Sequence, residues 1–301
     1  MAQILPIASG KGGVGKSAIS LNLSVALAQL GKKIVLCDFD FGGANLHTML
    51  GHKNNKPGMG HFINKLEEHL EPLIQKTAVE NLGFIAGDCL FPGTANMDYF
   101  SKRKILKEIN QLDADYVILD LGAGSAYNTL DFFLVNYKSI LVTTPEITSI
   151  LNAYSFLKSS VFRFFAQQFP ARSEERKLIQ DYTHTRLEGS ELSFTNLIEE
   201  IYNKYPETGA KAINKLDMFR PQVILNKGRT SSDIEMAQRL KSLVKNKLNM
   251  NMEFIGFIPK QLERDYRLFK DKTKQYVYIS SASAYHKPVK DYRISESTTL
   301  A

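Results

Sequence analysis

Gly10-Lys11-Gly12-Gly13-Val14-Gly15-Lys16-Ser17 stands between the apolar run QILPIA (3–8) and the segment SAISLNLSVALAQL (17–30). The first flank reads as a buried strand. The second reads as a helix with Ile19, Leu23, Ala26, Leu27 and Leu30 on one face and Gly31 as its C-cap. The loop between them satisfies GxxxxGK[ST], whose glycines allow backbone turns that aim N–H groups at phosphate oxygens, while the helix N-terminus adds a positive partial charge. In that arrangement Lys16 meets the outer phosphates and Ser17 ligates a metal ion. Gly10, Gly12, Gly13, Val14, Gly15 and Ala18 supply the rest of the cradle.

Working outward, short apolar runs recur at 33–38, 82–86, 116–121, 138–144, 222–226 and 253–258, separated by segments of helical period. Runs this short and apolar suit strands buried on both faces, and their alternation with helices implies an α/β fold, a mostly parallel twisted sheet with helices on both faces. The rhythm breaks over 147–220, where helices are expected at 147–169, 173–187, 193–204 and 207–216, punctuated by Pro170, Gly189-Ser190 and Pro206. This stretch is read as a helical insertion before the sixth expected strand, within one domain spanning 1–301. In such sheets the ligand lies beyond the carboxyl ends of the strands.

Composition narrows the function classes. With 301 residues and 44% hydrophobic content the chain can bury a substantial core without a metal or disulfide staple. Cys37 and Cys89 form no CxxC pair and have no nearby His, so zinc and iron–sulfur sites are not suggested, and both read as reduced core thiols. The start has no basic segment leading into a long apolar run, and no later stretch approaches a membrane span, so the expected location is the cytoplasm. Net charge is +7, with −1 over residues 1–150 (13 basic, 14 acidic) and +8 over 151–301 (25 against 17). Residues 260–293 carry nine basic and four acidic side chains, a surface suited to anionic lipid or nucleic acid or simply to solvent.

Two acidic strand ends complete the pattern. Asp38-Phe39-Asp40-Phe41-Gly42-Gly43 ends the second expected strand, and Val117-Ile118-Leu119-Asp120-Leu121-Gly122-Ala123-Gly124 ends the fourth. A strand-end carboxylate is placed to orient a water or hold a cation. Lys11, directly after the first loop glycine, makes the loop resemble the deviant Walker A motif of the MinD/ParA superfamily of P-loop ATPases. That resemblance implies an ATP/ADP site with Mg2+ held by Ser17, Asp40 and Asp120. It gives Lys16 the phosphates in cis, Lys11 the partner subunit's nucleotide in trans, and Asp40 the attacking water. Gly122 or Gly124 approaches the γ-phosphate through its backbone N–H, Asn226 contacts the base, and Pro259 lies in the loop flanking the ring.

Within the superfamily, GGANLHTMLG (42–51), DLGAG (120–124) and Thr144-Pro145-Glu146-Ile147-Thr148-Ser149 look most like the MinD/FlhG branch. The resemblance implies a homodimer in the ATP state, slow hydrolysis, and a protein effector in cell division or flagellar assembly. It also implies a peripheral contact with the inner membrane or with nonspecific DNA through the basic second half. A ParA-like DNA partitioner is the alternative, and a bacterial tyrosine kinase using Tyr276, Tyr278, Tyr285 and Tyr292 is a third reading. In 150–169, rich in Phe with Lys158 and Arg163, a membrane-binding element is one reading; the positions Ile150, Tyr154, Leu157, Val161, Phe165 and Phe169 recur at helical spacing and favour a core stripe, whereas Phe162 and Phe164 extend beyond it as a partner or dimer contact.

Overall fold

A computed structural model describes residues 2–53, 55–87, 97–184, 194–230 and 232–260. In chain order the elements are β1 (Gln3–Ser9), α1 (Lys16–Gln29), β2 (Ile34–Phe39), α2 (Leu46–Met49), α3 (Met59–Ile63), β3 (Gln75–Lys76) and β4 (Leu82–Ile85). There follow α4 (Tyr99–Gln111), β5 (Tyr116–Ala123), α5 (Tyr127–Phe133), β6 (Ile140–Thr143), α6 (Ile147–Gln167), α7 (Glu174–His184), α8 (Phe194–Lys204) and α9 (Pro206–Met218). The last three are β7 (Gln222–Gly228), α10 (Asp233–Leu248) and β8 (Glu253–Pro259).

The strands form an eight-stranded sheet in the order β3-β4-β2-β5-β1-β6-β7-β8. Strand β2 pairs in parallel with β4 and β5, and β6 pairs in parallel with β1 and β7, as does β7 with β8. All seven expected strands are present. The eighth, β3, is two residues long and antiparallel to β4, too short to leave a periodic signature in the sequence. The tertiary contacts group the described chain into two compact units, residues 2–4 with Gly15–Gly122, and Leu5–Val14 with Ala123–Lys260.

In the first unit α1 packs on β2 and β4. Its buried side carries Ala18, Ile19, Leu21, Ser24 and Ala28, while Ala26 and Leu30 are exposed, which corrects the face expected from periodicity. A helix apolar on almost every side gives periodicity little contrast. Gly31 does end the helix. Its φ of 80° lets its N–H reach Ala28 O at 2.9 Å and Lys32 N–H reach Leu27 O at 3.1 Å, the paired bonds of a Schellman turn. Cys37 is buried, and burial pushes its thiol pKa up, as expected of a core thiol; Cys89 lies outside the described residues.

The second unit holds the helices expected over 147–220, with α6 packed on β6, α5, α9 and α10. Ile150, Leu157, Val161, Phe165 and Phe169 are buried and Tyr154 is half-buried, so the stripe along α6 is core at five of its six positions. Of Phe162 and Phe164, expected on an outer contact, Phe164 is buried and Phe162 half-buried, and both meet rings of the same chain. Phe164 stacks on Phe219 with centroids 5.2 Å apart, and Phe162 meets Phe194 edge-on at 4.9 Å. The inserted helices themselves supply those aromatic partners, which the sequence of α6 alone cannot reveal. Phe133 sits at the centre, edge-on to Phe156 at 4.9 Å and to Phe219 at 6.3 Å. Truncating a fully buried ring leaves a cavity as well as losing transfer energy, so Phe133→Ala should destabilise the chain by about 3–5 kcal/mol in urea unfolding.

Candidate functional site

The phosphate loop leaves β1 in the second unit and enters α1 in the first. Gly13 (φ 78°) and Gly15 (φ 91°) are both left-handed, the alternation that turns successive N–H groups into a concave anion nest. Gly10 is pinned for a different reason. A Cβ there would overlap the carbonyl of Asn152 and come within 2.8 Å of Ala153 N, so α6 presses its backbone against the start of the loop.

In the first unit Lys16 opens α1 with only 6% of its surface exposed. Its ammonium donates to Asp120 Oδ1 at 2.9 Å and lies 3.3 Å from Ser17 Oγ. Ser20, one turn further on, donates its hydroxyl to the same Asp120 oxygen at 2.8 Å. Asp38 is level with Asp120 in the β2–β5 register, so the two carboxylates project to the same face, and each is 1% exposed. Asp38 Oδ1 accepts the N–H of Asp40 at 3.1 Å and Oδ2 that of Leu46 at 3.2 Å. Asp40 follows at the mouth of β2, half-buried.

One ammonium therefore serves two buried carboxylates. Burial, then the charge of Asp120, pushes the Asp38 carboxyl up to about 7, against the pull of its two N–H donors and Lys16. Hydroxyl and carboxylate oxygens from Ser17, Asp40 and Asp120 are the donor set of a hard divalent cation, and the excess of buried negative charge suits one; Mg2+ fits these residues. The anion nest fits a nucleotide's phosphates. Together a bound Mg2+ and nucleotide supply a polarised phosphoryl group, while the chain's own residues do the orienting and charge balancing.

In the second unit Lys11 donates to Glu146 Oε2 at 3.1 Å and Thr148 Oγ1 at 3.2 Å. This bond and the charge of Lys11 hold the Glu146 carboxyl below the usual carboxylate range. Gly124 (φ 82°) donates its N–H to Ser9 O at 2.9 Å, fixing the turn after β5. Asn226, expected to contact a base, is buried at the end of β7 with its Nδ2 donating to Val14 O at 2.8 Å. Ala18 is buried within α1, Gly122 is half-buried near the end of β5, and Pro259 is exposed at the end of β8. Gly12 lies on the exposed side of the loop.

Sequence reasoning did not assign Ser20, the pairing of Asp38 with Asp120, or the grip of Glu146 and Thr148 on Lys11. Ser20 was findable, since it lies four residues after Lys16 and so on the same helical face. The basic stretch beyond Lys260 and the four tyrosines considered for kinase chemistry lie outside the described residues.

The raised Asp38 pKa fixes a sign. Between the ordinary 3.8 and about 7 the folded carboxyl keeps a proton that the unfolded chain has released. Its contribution to stability is complete below 3.8 and is lost as pH rises to about 7. In urea unfolding without nucleotide or Mg2+, Asp38→Asn should gain on the wild type as pH is raised through that window and keep a constant offset above it.

The ParA family profile, described as the NUBPL iron-transfer P-loop NTPase, matches residues 1–159. The septum site-determining protein MinD of Helicobacter pylori is 34% identical over 155 residues, 50% of this chain and 56% of that protein. The flagellum site-determining protein YlxH of the same organism is 34% identical over 164 residues, 52% and 53% respectively. The chain thus spans about half the length of the curated relatives it matches. The structure of MinD from Pyrococcus horikoshii complexed with Mg-ADP superposes with a TM-score of 0.52 at 22% identity over 87% of this chain and 82% of that one, which bears on fold alone. With a matching profile over half its length, a phosphate loop between β1 and α1 and acidic ends on β2 and β5, the chain belongs to the ParA family of the MinD/ParA superfamily of P-loop NTPases.

Proposed function

We propose that this chain is an ATP-hydrolysing switch of the MinD/FlhG kind. It would dimerise with ATP and Mg2+ bound, engage an effector or surface, and release it after slow hydrolysis, so positioning a division or flagellar assembly. The observation that carries this reading is the unlike placement of the two loop lysines. Lys16 is buried on Asp120, whereas Lys11 keeps about a third of its side chain exposed and is held by a glutamate that is itself 66% exposed. A lysine held so loosely is free to act elsewhere, since an exposed ion pair contributes little.

Each residue has a task in that scheme. Gly10 to Gly15 present N–H groups to the phosphates, Lys16 neutralises the outer phosphates, and Ser17 and Asp120 hold Mg2+. Asp40 orients the attacking water, and Lys11 crosses to the partner's nucleotide, where a cation supplied in trans makes hydrolysis conditional on dimerisation. Gly122 offers its N–H at the γ-phosphate. The likeness to MinD and YlxH at 34% identity supports the branch.

Two variants test this. Asp40→Ala should remain monomeric in ADP and become a dimer in Mg-ATP, read by size-exclusion chromatography with light scattering; an unchanged mass removes the switch. Lys11→Ala should retain nucleotide binding but lose at least tenfold in protein-stimulated hydrolysis, in line with the weight of a trans cation in phosphoryl transfer. If retention of the ATP-bound dimer is seen on DNA and not on anionic liposomes, the ParA-like partitioning alternative takes its place.

A further inference from the structure

Strand β7 ends in an irregularity. Asn226 pairs with Ile258 of β8 and Gly228 with Pro259, leaving Lys227 as an extra residue with no counterpart. Its φ is 59°, a left-handed conformation that is strained for a residue with a Cβ. Bulges are rare between parallel strands, and next to functional sites they re-aim a side chain. The chain therefore carries strain at this position, and the surrounding contacts show what the strained geometry accomplishes.

Lys227 Nζ donates to the carbonyl of Gly13 at 2.6 Å. Its neighbour Asn226 donates from Nδ2 to the carbonyl of Val14 at 2.8 Å, while Asn226 Oδ1 accepts the Lys227 N–H at 2.9 Å. Two consecutive side chains at the end of β7 thus hold two consecutive carbonyls of the phosphate loop. A regular strand would send residues 226 and 227 to opposite faces, so only the bulge allows both to reach one loop. Lys227 is also partly buried. Its pKa is lowered by that burial and by Lys260 and Lys11, with Glu146 opposing.

We propose that Lys227 is a positioning residue for the phosphate loop. By engaging the Gly13 carbonyl from the β7 side, and acting with Asn226 on Val14, it fixes two successive peptide planes. The N–H groups on the opposite edges of those planes are then presented to the phosphates in advance of binding. The bulge exists to deliver this clasp, which acts on nucleotide affinity and not on the stability of the sheet. The inference rests on the reading that the loop binds a nucleotide.

The test titrates Mg2+ and a fluorescent ATP analogue into the full chain, with unfolding midpoints measured in parallel. Lys227→Met keeps the bulge and removes the donor, Lys227→Gly also relieves the left-handed strain, and Lys227→Arg keeps a cationic donor. Losing a charge-assisted bond should weaken binding about tenfold or more in the Met and Gly variants. Arg should remain within about threefold of wild type, and Gly should unfold at or above the wild-type midpoint. Wild-type affinity in the Met and Gly variants would overturn the clasp. So would a fall in affinity that merely follows a fall in stability across all three. If the wild-type chain itself does not bind the analogue, the nucleotide reading fails and the inference falls with it.

Discussion

A single buried ammonium organises the first unit. Lys16 lies against Asp120 with Asp38 alongside, and both carboxylates are 1% exposed. Removing one partner of a buried ion pair typically costs about 3–5 kcal/mol because the other charge is left uncompensated. The arrangement tolerates little drift in the strands that carry it. Asp38 and Asp120 face one another only because β2 and β5 pair in one register, and a slip of a single residue would send one carboxylate to the opposite face. Ser20 supplies a further donor to Asp120, which ties the helix after the loop to the strand that carries the acid.

The frame of this arrangement was legible in the sequence because its parts are local. A glycine loop between an apolar run and a helical run, and single acids at the ends of apolar strands, are patterns a few residues wide. The helices over 147–220 were legible too, from the absence of strand-length runs and from the prolines between them. What escaped the reading depends on residues distant in sequence. The contacts of Phe162 and Phe164 within the chain are decided by Phe194 and Phe219, which lie beyond the end of α6. The buried face of α1 is decided by its packing on β2 and β4, which leaves Ala18, Ile19, Leu21, Ser24 and Ala28 inside and Ala26 and Leu30 outside.

Asn226 illustrates the same limit at the site. A strand-end asparagine is a generic turn residue, and resemblance suggested a base contact for it. Its amide also donates to a loop carbonyl 212 residues earlier in the chain, a contact no local pattern announces. Lys11 shows the converse, since its place in the motif was plain from the sequence but its present partners, Glu146 and Thr148, sit at the opening of a helix far along the chain. Motif reading recovers which groups are present. Tertiary contact decides which of them are already engaged.

The two-residue strand β3 has a consequence for self-association. Parallel sheets expose unpaired N–H and C=O groups along their outer strands, and β4 would offer such a row to another molecule. Gln75 and Lys76 pair with Phe84 and Gly83 in the antiparallel sense, and Lys76 is exposed. Ile74 lies close enough over Gly83 that a Cβ there would come within 2.6 Å of its Cγ2, which seats the short strand tightly. Among the described residues the sheet therefore ends on that side in a brief reversed segment bearing a charge, a poor template for strand addition. An edge blunted in this way directs association to other surfaces and keeps it from running on as strand-by-strand aggregation.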